Sequence, residues 1–193
     1  FDLTNAQKKS LWAIIKDMER DEPMNRLLEG DVGTGKTIVA ALAAINAASG
    51  SWQSAILAPT EILAHQHAQN LQSMFGDKIT IALFTRTKRF VGKKEVTKKQ
   101  MLDALKDGKI DLAIGTHALL SDDVLFNRLG FIVVDEQHRF GVKQRKALKD
   151  RQEDADGIPH LLSMTATPIP RSLALVLYGD LDRSILDEYP VGR

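Results

Sequence analysis

The sequence predicts an α/β domain in three layers, with a central, mostly parallel sheet covered by helices on both faces. Three observations predict it. The apolar runs at 54–58 and 131–134 are continuous rather than alternating, the pattern of strands buried on both sides, and 111–115 reads as a further strand. Helical patterns lie between most of these runs, and strands that alternate with helices imply right-handed βαβ crossovers. Finally, Gly30-Asp31-Val32-Gly33-Thr34-Gly35-Lys36-Thr37 stands between an apolar-leaning segment, 26–29, and an alanine-rich helical pattern, 38–48. That is the strand–loop–helix setting of a phosphate-binding loop.

The elements follow in order. Thr4 and Gln7 have capping-box spacing at the start of a helix reaching about Met18, with Leu11, Ile14, Ile15 and Met18 as its apolar stripe. Asp21-Glu22-Pro23 breaks it. The glycine-rich loop and its helix end near Gly50. The run 54–58 is a buried strand stopped by Pro59, and Thr60 caps a helix to about Phe75. Residues 79–85 make another strand, followed by a polar, basic stretch from Arg86 to Lys99 and a helix over 101–106. Strands are expected at 111–115, 131–134 and 161–165, helices over 138–149 and 171–178, a polar loop over 150–157, and a short last strand at 184–186. No internal repeat or low-complexity segment interrupts this order.

Composition narrows the classes. A chain of 193 residues suits one domain with a sizeable core. The net charge of +1 makes any nucleic-acid surface a local patch rather than a global excess. With no cysteine there are no disulfides and no cysteine-ligated zinc, which fits a reducing compartment. No apolar run approaches the ~18 residues of a membrane span, and no signal peptide is evident. These features suggest a soluble, intracellular domain, and a start at Phe1 and a stop at Arg193 suggest that it is cut from a longer protein.

Two motifs carry the chemistry. In the first, glycines let backbone N–H groups approach a polyphosphate, and the helix N-terminus adds partial positive charge. Lys36 would reach the β- and γ-phosphates and the Thr37 hydroxyl would ligate Mg²⁺. A merely structural turn would not need a lysine there, since a cation in a helix's first turn is unfavourable by roughly 0.3–1 kcal/mol. In the second, Asp135-Glu136-Gln137-His138 follows a buried strand. Adjacent carboxylates in that place are costly unless paired or metal-bound; the bland alternative is a strand-end turn with solvated acids. In a phosphate-loop enzyme the first acid holds Mg²⁺ and the next polarises the attacking water. Together the motifs point to a nucleotide hydrolase. A phosphate-loop kinase shares the loop but gives no reason for Asp135-Glu136-Gln137-His138 beside Thr165-Ala166-Thr167. A degenerate docking module is disfavoured because Lys36, Thr37, Asp135 and Glu136 are all present. Ligands of such sheets bind at the strands' carboxyl ends, where Gly33, Pro59, Gly115-Thr116, Asp135-Glu136 and Thr165-Ala166-Thr167 all fall.

Asp135-Glu136-Gln137-His138 resembles the acidic motif of superfamily 2 helicases, and the run from Ser163 to Pro168 resembles their motif III. Ala58-Pro59-Thr60-Glu61 and Gly115-Thr116-His117-Ala118 are similar to two of their DNA-contacting motifs, and Phe1 to Gln7 to their adenine-reading Q-motif. The resemblance covers essentially the whole chain. It implies a three-layer RecA-like P-loop NTPase domain, the first of two motor domains, using ATP and Mg²⁺. By this resemblance Gly30, Asp31, Val32, Gly33, Thr34, Gly35, Lys36 and Thr37 would hold the nucleotide, with Gln7 and Phe1 selecting adenine. Thr37 and Asp135 would hold the metal, and Glu136 would be the base. His138, Thr165 and Thr167 would couple the nucleotide to DNA, which Pro59, Thr60, Gly115, Thr116 and His117 would touch along its backbone.

Within the family, the loop at Gly30, the stretch from Asp135 to Val142 and that from Thr165 to Arg171 are similar to bacterial helicases that remodel branched DNA at stalled forks and in recombination intermediates. The alternative is a transcription-repair coupling translocase, whose acidic motif usually reads Asp-Glu-Glu-Gln; Gln137-His138 favours the former. The implied partners are forked or branched DNA, a second RecA-like domain of the same chain and single-stranded DNA-binding protein, with no membrane. The implied location is the bacterial cytoplasm, near the nucleoid. The arginine finger and a branch-recognising wedge are not evident in these residues, so the isolated domain is expected to turn over ATP very slowly.

Other residues stay open or bland. Between Arg86 and Lys99, seven basic residues face one acidic residue, which suits either phosphate contact or a solvated loop. Thr85-Arg86-Thr87 also stands where the family has a Thr-Gly-Ser-like contact. His65 and His67, two apart on a helix, do not share a face, so no metal site is expected there. His160 is expected to be structural, and Trp12 and Trp52 to be packing residues. For Arg139-Phe140-Gly141, only the resemblance suggests a coupling role.

Overall fold

The computed structural model describes residues 2–136, 157–167 and 181–190. Phe1, Gln137, His138 and Arg139-Phe140-Gly141 lie outside them, as do the helices expected over 138–149 and 171–178 and nearly all of the loop expected over 150–157.

Helix α1 (Asn5–Met18) starts where its capping box puts it: the Thr4 hydroxyl accepts the Gln7 N–H, and the Gln7 side chain accepts the Thr4 N–H. Its buried line is not the expected apolar stripe. Ala6, Gln7, Ser10, Ile14 and Asp17 turn inward, while Leu11, Ile15 and Met18 are only partly buried. The polar members are tolerated inside because they have partners: Gln7 on the phosphate loop, Asp17 on Arg26. This rotation also corrects the reading of Trp12, which is 63% exposed, with the Lys16 ammonium 5.0 Å from its ring. Trp52 does pack as expected, against the core and under the Arg128 guanidinium.

Along the chain follow β1 (Asn25–Gly30), α2 (Lys36–Ser49), β2 (Gln53–Leu57), α3 (Glu61–Phe75), β3 (Ile81–Phe84), β4 (Arg89–Val91), β5 (Lys94–Glu95), α4 (Lys98–Lys106), β6 (Leu112–Gly115), a 3₁₀ turn (His117–Leu120), β7 (Leu129–Asp135), β8 (His160–Thr165) and β9 (Asp182–Leu186). Among the described residues, no helix is long and apolar enough to cross a membrane. One sheet runs in the order β5-β4-β3-β6-β2-β7-β8-β1-β9, parallel except for the β3-β4-β5 hairpins. Its two faces explain the continuous apolar runs. Ile56 and Val133 join one core cluster with α1, α2 and α3; their neighbours Ala55, Leu57, Ile132 and Val134 join another with Met101, Leu105 and Phe126. Residues 55–57 of β2 and 131–134 of β7 therefore meet apolar neighbours, whichever way they point.

The basic stretch is neither one patch nor a plain loop. Val91 lies opposite Ala82 and Arg89 opposite Phe84, so β4 runs back down β3. Exposed Arg86 and Lys88 stay at the carboxyl edge of the sheet, while Lys93 turns at the opposite edge. Lys98, back at the carboxyl edge, pairs with Asp123 at 2.5 Å. His160 is structural as expected: its Nδ1 accepts the Met24 N–H at 2.9 Å, across the start of β1.

Candidate nucleotide-binding site

Sheet order sorts the strand ends into two groups. The ends of β7, β8 and β1 are neighbours, so Asp135-Glu136, Thr165 and Gly30 converge although they are far apart in sequence. The ends of β3, β6 and β2 lie side by side in the other half and carry Thr85, Gly115 and the Pro59-Thr60 turn.

In the first group the loop from Gly30 to Gly35 is built to expose backbone. Gly33 and Gly35 have φ of 90° and 85°, the left-handed region where a side chain is strained. A Cβ on Gly35 would also stand 2.4 Å from Gln7 Nε2. Helix α2 therefore begins at a residue with no side-chain cap, which leaves its first-turn amides to an anion. Gln7 braces the loop from below, donating from Nε2 to the Thr34 carbonyl at 2.7 Å. Both ends of its buried amide are thus engaged, one by Thr34 and the other by Thr4. Thr34 closes the turn by donating its hydroxyl to the Asp31 carbonyl at 2.8 Å.

Lys36 lies over the loop, donating to the Gly30 carbonyl at 2.5 Å and the Asp31 carbonyl at 3.1 Å. Burial holds its amine below the usual lysine range, opposed by the carboxylates of Glu136, Asp135 and Asp31. Asp31 and Val32 are exposed at the loop's tip. The Tyr189 hydroxyl donates to Asp31 Oδ2 at 2.6 Å and, with the Val32 amide, keeps that carboxyl below the ordinary carboxylate range.

Glu136 carries the one left-handed non-glycine backbone at the described strand ends, with φ of 52°. Its N–H donates to the Met164 carbonyl, and its carboxylate accepts the Ala166 N–H at 2.5 Å and the Thr165 hydroxyl at 3.3 Å. Thr165 and Thr167 hydroxyls lie 3.0 Å apart. Glu136 and the Thr165-Ala166-Thr167 turn are therefore one hydrogen-bonded unit. Asp135 is nearly buried beside it, and His67 Nε2 lies 2.9 Å from its Oδ2.

A family model described as DEAD/DEAH box helicase matches residues 4–176. The chain belongs to the DEAD/DEAH box helicases. It is 50% identical over 193 residues to the ATP-dependent DNA helicase RecG of Streptococcus pneumoniae, covering 100% of this chain and 27% of that one. It is also 50% identical to RecG of Aquifex aeolicus over 100% of this chain and 24% of the relative. Among solved structures, RecG bound to a three-way DNA junction matches with a TM-score of 0.81 and 42% identity, over 100% of this chain and 25% of that chain. The DEAD-box helicase Mss116 bound to single-stranded RNA, at 16% identity and a TM-score of 0.67, shares the fold. This is the three-layer RecA-like domain expected, and it spans about a quarter of the length of the curated RecG helicases it matches.

In this helicase domain the second group of strand ends is equally specific. A Cβ on Gly115 would lie 2.1 Å from the Phe84 carbonyl, so β6 can lie against β3 only with glycine there. Thr60 caps α3 by accepting the Leu63 N–H. Exposed Pro59, Thr60 and His117 and half-buried Thr116 share this carboxyl edge. Three long-range contacts that the sequence spacing does not show organise the two groups of strand ends. Glu61 takes the Arg86 N–H at 3.2 Å and the Thr87 hydroxyl, joining the start of α3 to the end of β3. Tyr189 reaches the phosphate loop, and His67 reaches Asp135. The spacing of His65 and His67 argued only against a shared metal; it carried no sign that His67 alone meets a carboxylate 68 residues away.

Volume alone would misplace the site. Among the described residues, a groove of about 880 Å³ lies between α3 and β4, lined by Gln72, Gly76, Phe90 and Lys93, at the opposite end of the sheet from the phosphate loop.

Proposed function

We propose that this chain is the ATP-binding motor domain of a DNA helicase or translocase of the RecG type, which uses ATP hydrolysis to remodel branched DNA. The observation that carries the reading is the convergence of Lys36, Asp135, Glu136 and Thr165 at three adjacent strand ends, in a chain 50% identical to RecG.

The residues fit Mg·ATP. The uncapped start of α2 and the two left-handed glycines offer N–H groups to phosphate oxygens, and Lys36 adds a cation. The Thr37 hydroxyl and the Asp135 carboxylate are oxygen donors suited to a hard divalent ion. When bound, Mg²⁺ would neutralise charge developing on the phosphates. Glu136 is the base in this reading, orienting and deprotonating the attacking water, and the Ala166 N–H fixes one of its oxygens. His138 belongs to the same motif and is assigned a coupling role with Thr165 and Thr167. Gln7 supports the loop, and with Phe1 it is assigned to the adenine.

Pro59, Thr60, Gly115, Thr116 and His117, with Arg86 and Lys88 beside them, make the proposed DNA-backbone edge, since phosphate contacts supply most sequence-independent affinity. The partners are branched DNA, a second RecA-like domain of the same chain and single-stranded DNA-binding protein, in the bacterial cytoplasm near the nucleoid. That second domain would bring an arginine finger, a group worth roughly 10³–10⁵ in rate.

The test is ATP turnover by the full-length parent protein with forked DNA, linear duplex and single strand at one salt concentration. Stimulation by forks above linear duplex supports the reading. Equal turnover on all three sinks the branched-DNA assignment, and no DNA stimulation at all sinks the motor.

A further inference from the structure

We propose that His67 is a positioning residue for the metal-binding carboxylate: its Nε2–H fixes the rotamer of Asp135 so that one oxygen stays aimed at the phosphate-bound cation. The inference rests on the proposed metal role of Asp135 and names a residue that this role does not itself include.

Three features of the structure support it. The pair is close and sheltered: Nε2 lies 2.9 Å from Oδ2, and the two side chains are 14% and 12% exposed. An ionised carboxylate only accepts hydrogen bonds, so Nε2 carries the proton and donates. The anchor is rigid. His67 lies about two turns into α3, next to buried Ala64 and Ala68, and that helix is capped by Thr60. Asp135, by contrast, ends its strand next to a residue with left-handed backbone, where the backbone alone does not hold a side chain in one direction. Of the hydrogen bonds described at this turn, those to Ala166 and Thr165 go to Glu136, and His67 serves Asp135. A carboxylate bound through one oxygen to an imidazole keeps the other oxygen for a metal, the arrangement by which outer hydrogen bonds orient metal ligands.

Binding of a fluorescent ATP analogue to the full-length parent protein, titrated against Mg²⁺ without DNA, tests this without relying on turnover. His67→Ala is expected to raise the Mg²⁺ concentration at half-saturation about 10-fold or more, as loss of such partners costs roughly 10–100-fold in metal affinity. His67→Gln can present an amide N–H near the position of Nε2 and is expected to recover most of that loss. If thermal unfolding shows that His67→Ala does not fold, His67→Phe keeps the volume and removes the donor. A wild-type midpoint in a folded donor-less variant overturns the inference, as does a Gln variant no better than Ala. Asp135→Asn separates the two levels of the reading. If it shifts the midpoint and His67→Ala does not, only the role of His67 fails. If it shifts nothing, the metal role of Asp135 fails with it.

Discussion

The Glu136 carboxylate accepts the backbone N–H of Ala166 at 2.5 Å, so the proposed base is held by the turn that follows the neighbouring strand. The contact fixes one oxygen of Glu136 and explains why its backbone is kept at a φ of 52°, a strained value that persists only where surroundings over-determine it. Glu136→Gln keeps an acceptor for Ala166 and removes the base. It is expected to leave the fold and nucleotide affinity near wild type and to lower DNA-stimulated kcat by roughly 10²–10⁴-fold. Steady-state turnover beside an equilibrium nucleotide titration checks this; full activity in the variant would remove Glu136 from the chemistry.

Lys36 makes its described contacts with carbonyls of its own loop, so little of the fold depends on its charge. Lys36→Ala is expected to melt within a few degrees of wild type. Nucleotide affinity should fall about 10- to 100-fold, because charge-assisted hydrogen bonds are worth about 1.5–3 kcal/mol. Calorimetric titration with an ATP analogue decides it, and unchanged affinity would rule out this placement of the phosphates.

Asp17 and Arg26 form a buried ion pair at 2.6 Å, and Arg26 also donates to the Ser184 hydroxyl, so a single guanidinium ties α1, β1 and β9 together. Without Asp17, the described counter-charge left to the buried Arg26 is the exposed Asp182 carboxylate, 3.6 Å away. Asp17→Ala is therefore expected to cost about 3–5 kcal/mol, read as a lower denaturation midpoint. A loss below about 1 kcal/mol would place this pair with ordinary surface pairs.

His160 makes stability depend on pH. Burial pushes its imidazole below the ordinary 6.5, against the pull of Asp17, and its Nδ1 accepts from Met24 and must stay unprotonated to do so. The unfolded chain binds the proton more readily. Stability from this group is therefore full above the unfolded value, falls as pH drops through 6.5, and stops falling below the depressed folded value. His160→Asn keeps an acceptor for Met24 and does not titrate there. Unfolding free energies from pH 7.5 to 5 should show a shallower fall in the variant than in wild type. Parallel curves would mean that His160 does not titrate between the folded and unfolded states.

Much was legible in the one-dimensional pattern because its causes are local. Glycine spacing, a lysine at a helix start and a capping box depend on neighbours a few residues apart, and so do continuous apolar strands. They determined α2 with its loop, α1, the buried parallel strands and the two motifs of the site. What only the tertiary structure decided are relations between residues far apart in the chain. Strand order put β7, β8 and β1 side by side, and no local rule sets that order. The inward turn of Gln7 and Asp17 needed the Thr34 carbonyl and the Arg26 guanidinium as partners. The basic segment from Arg86 to Lys99 was split between two edges because pairing with β3 folded it back. His67 meets Asp135 because helix α3, packed across the sheet, brings it to the end of another strand. A side chain's local preference is set by its neighbours in sequence; its partner is set by which strand ends the closed sheet brings together.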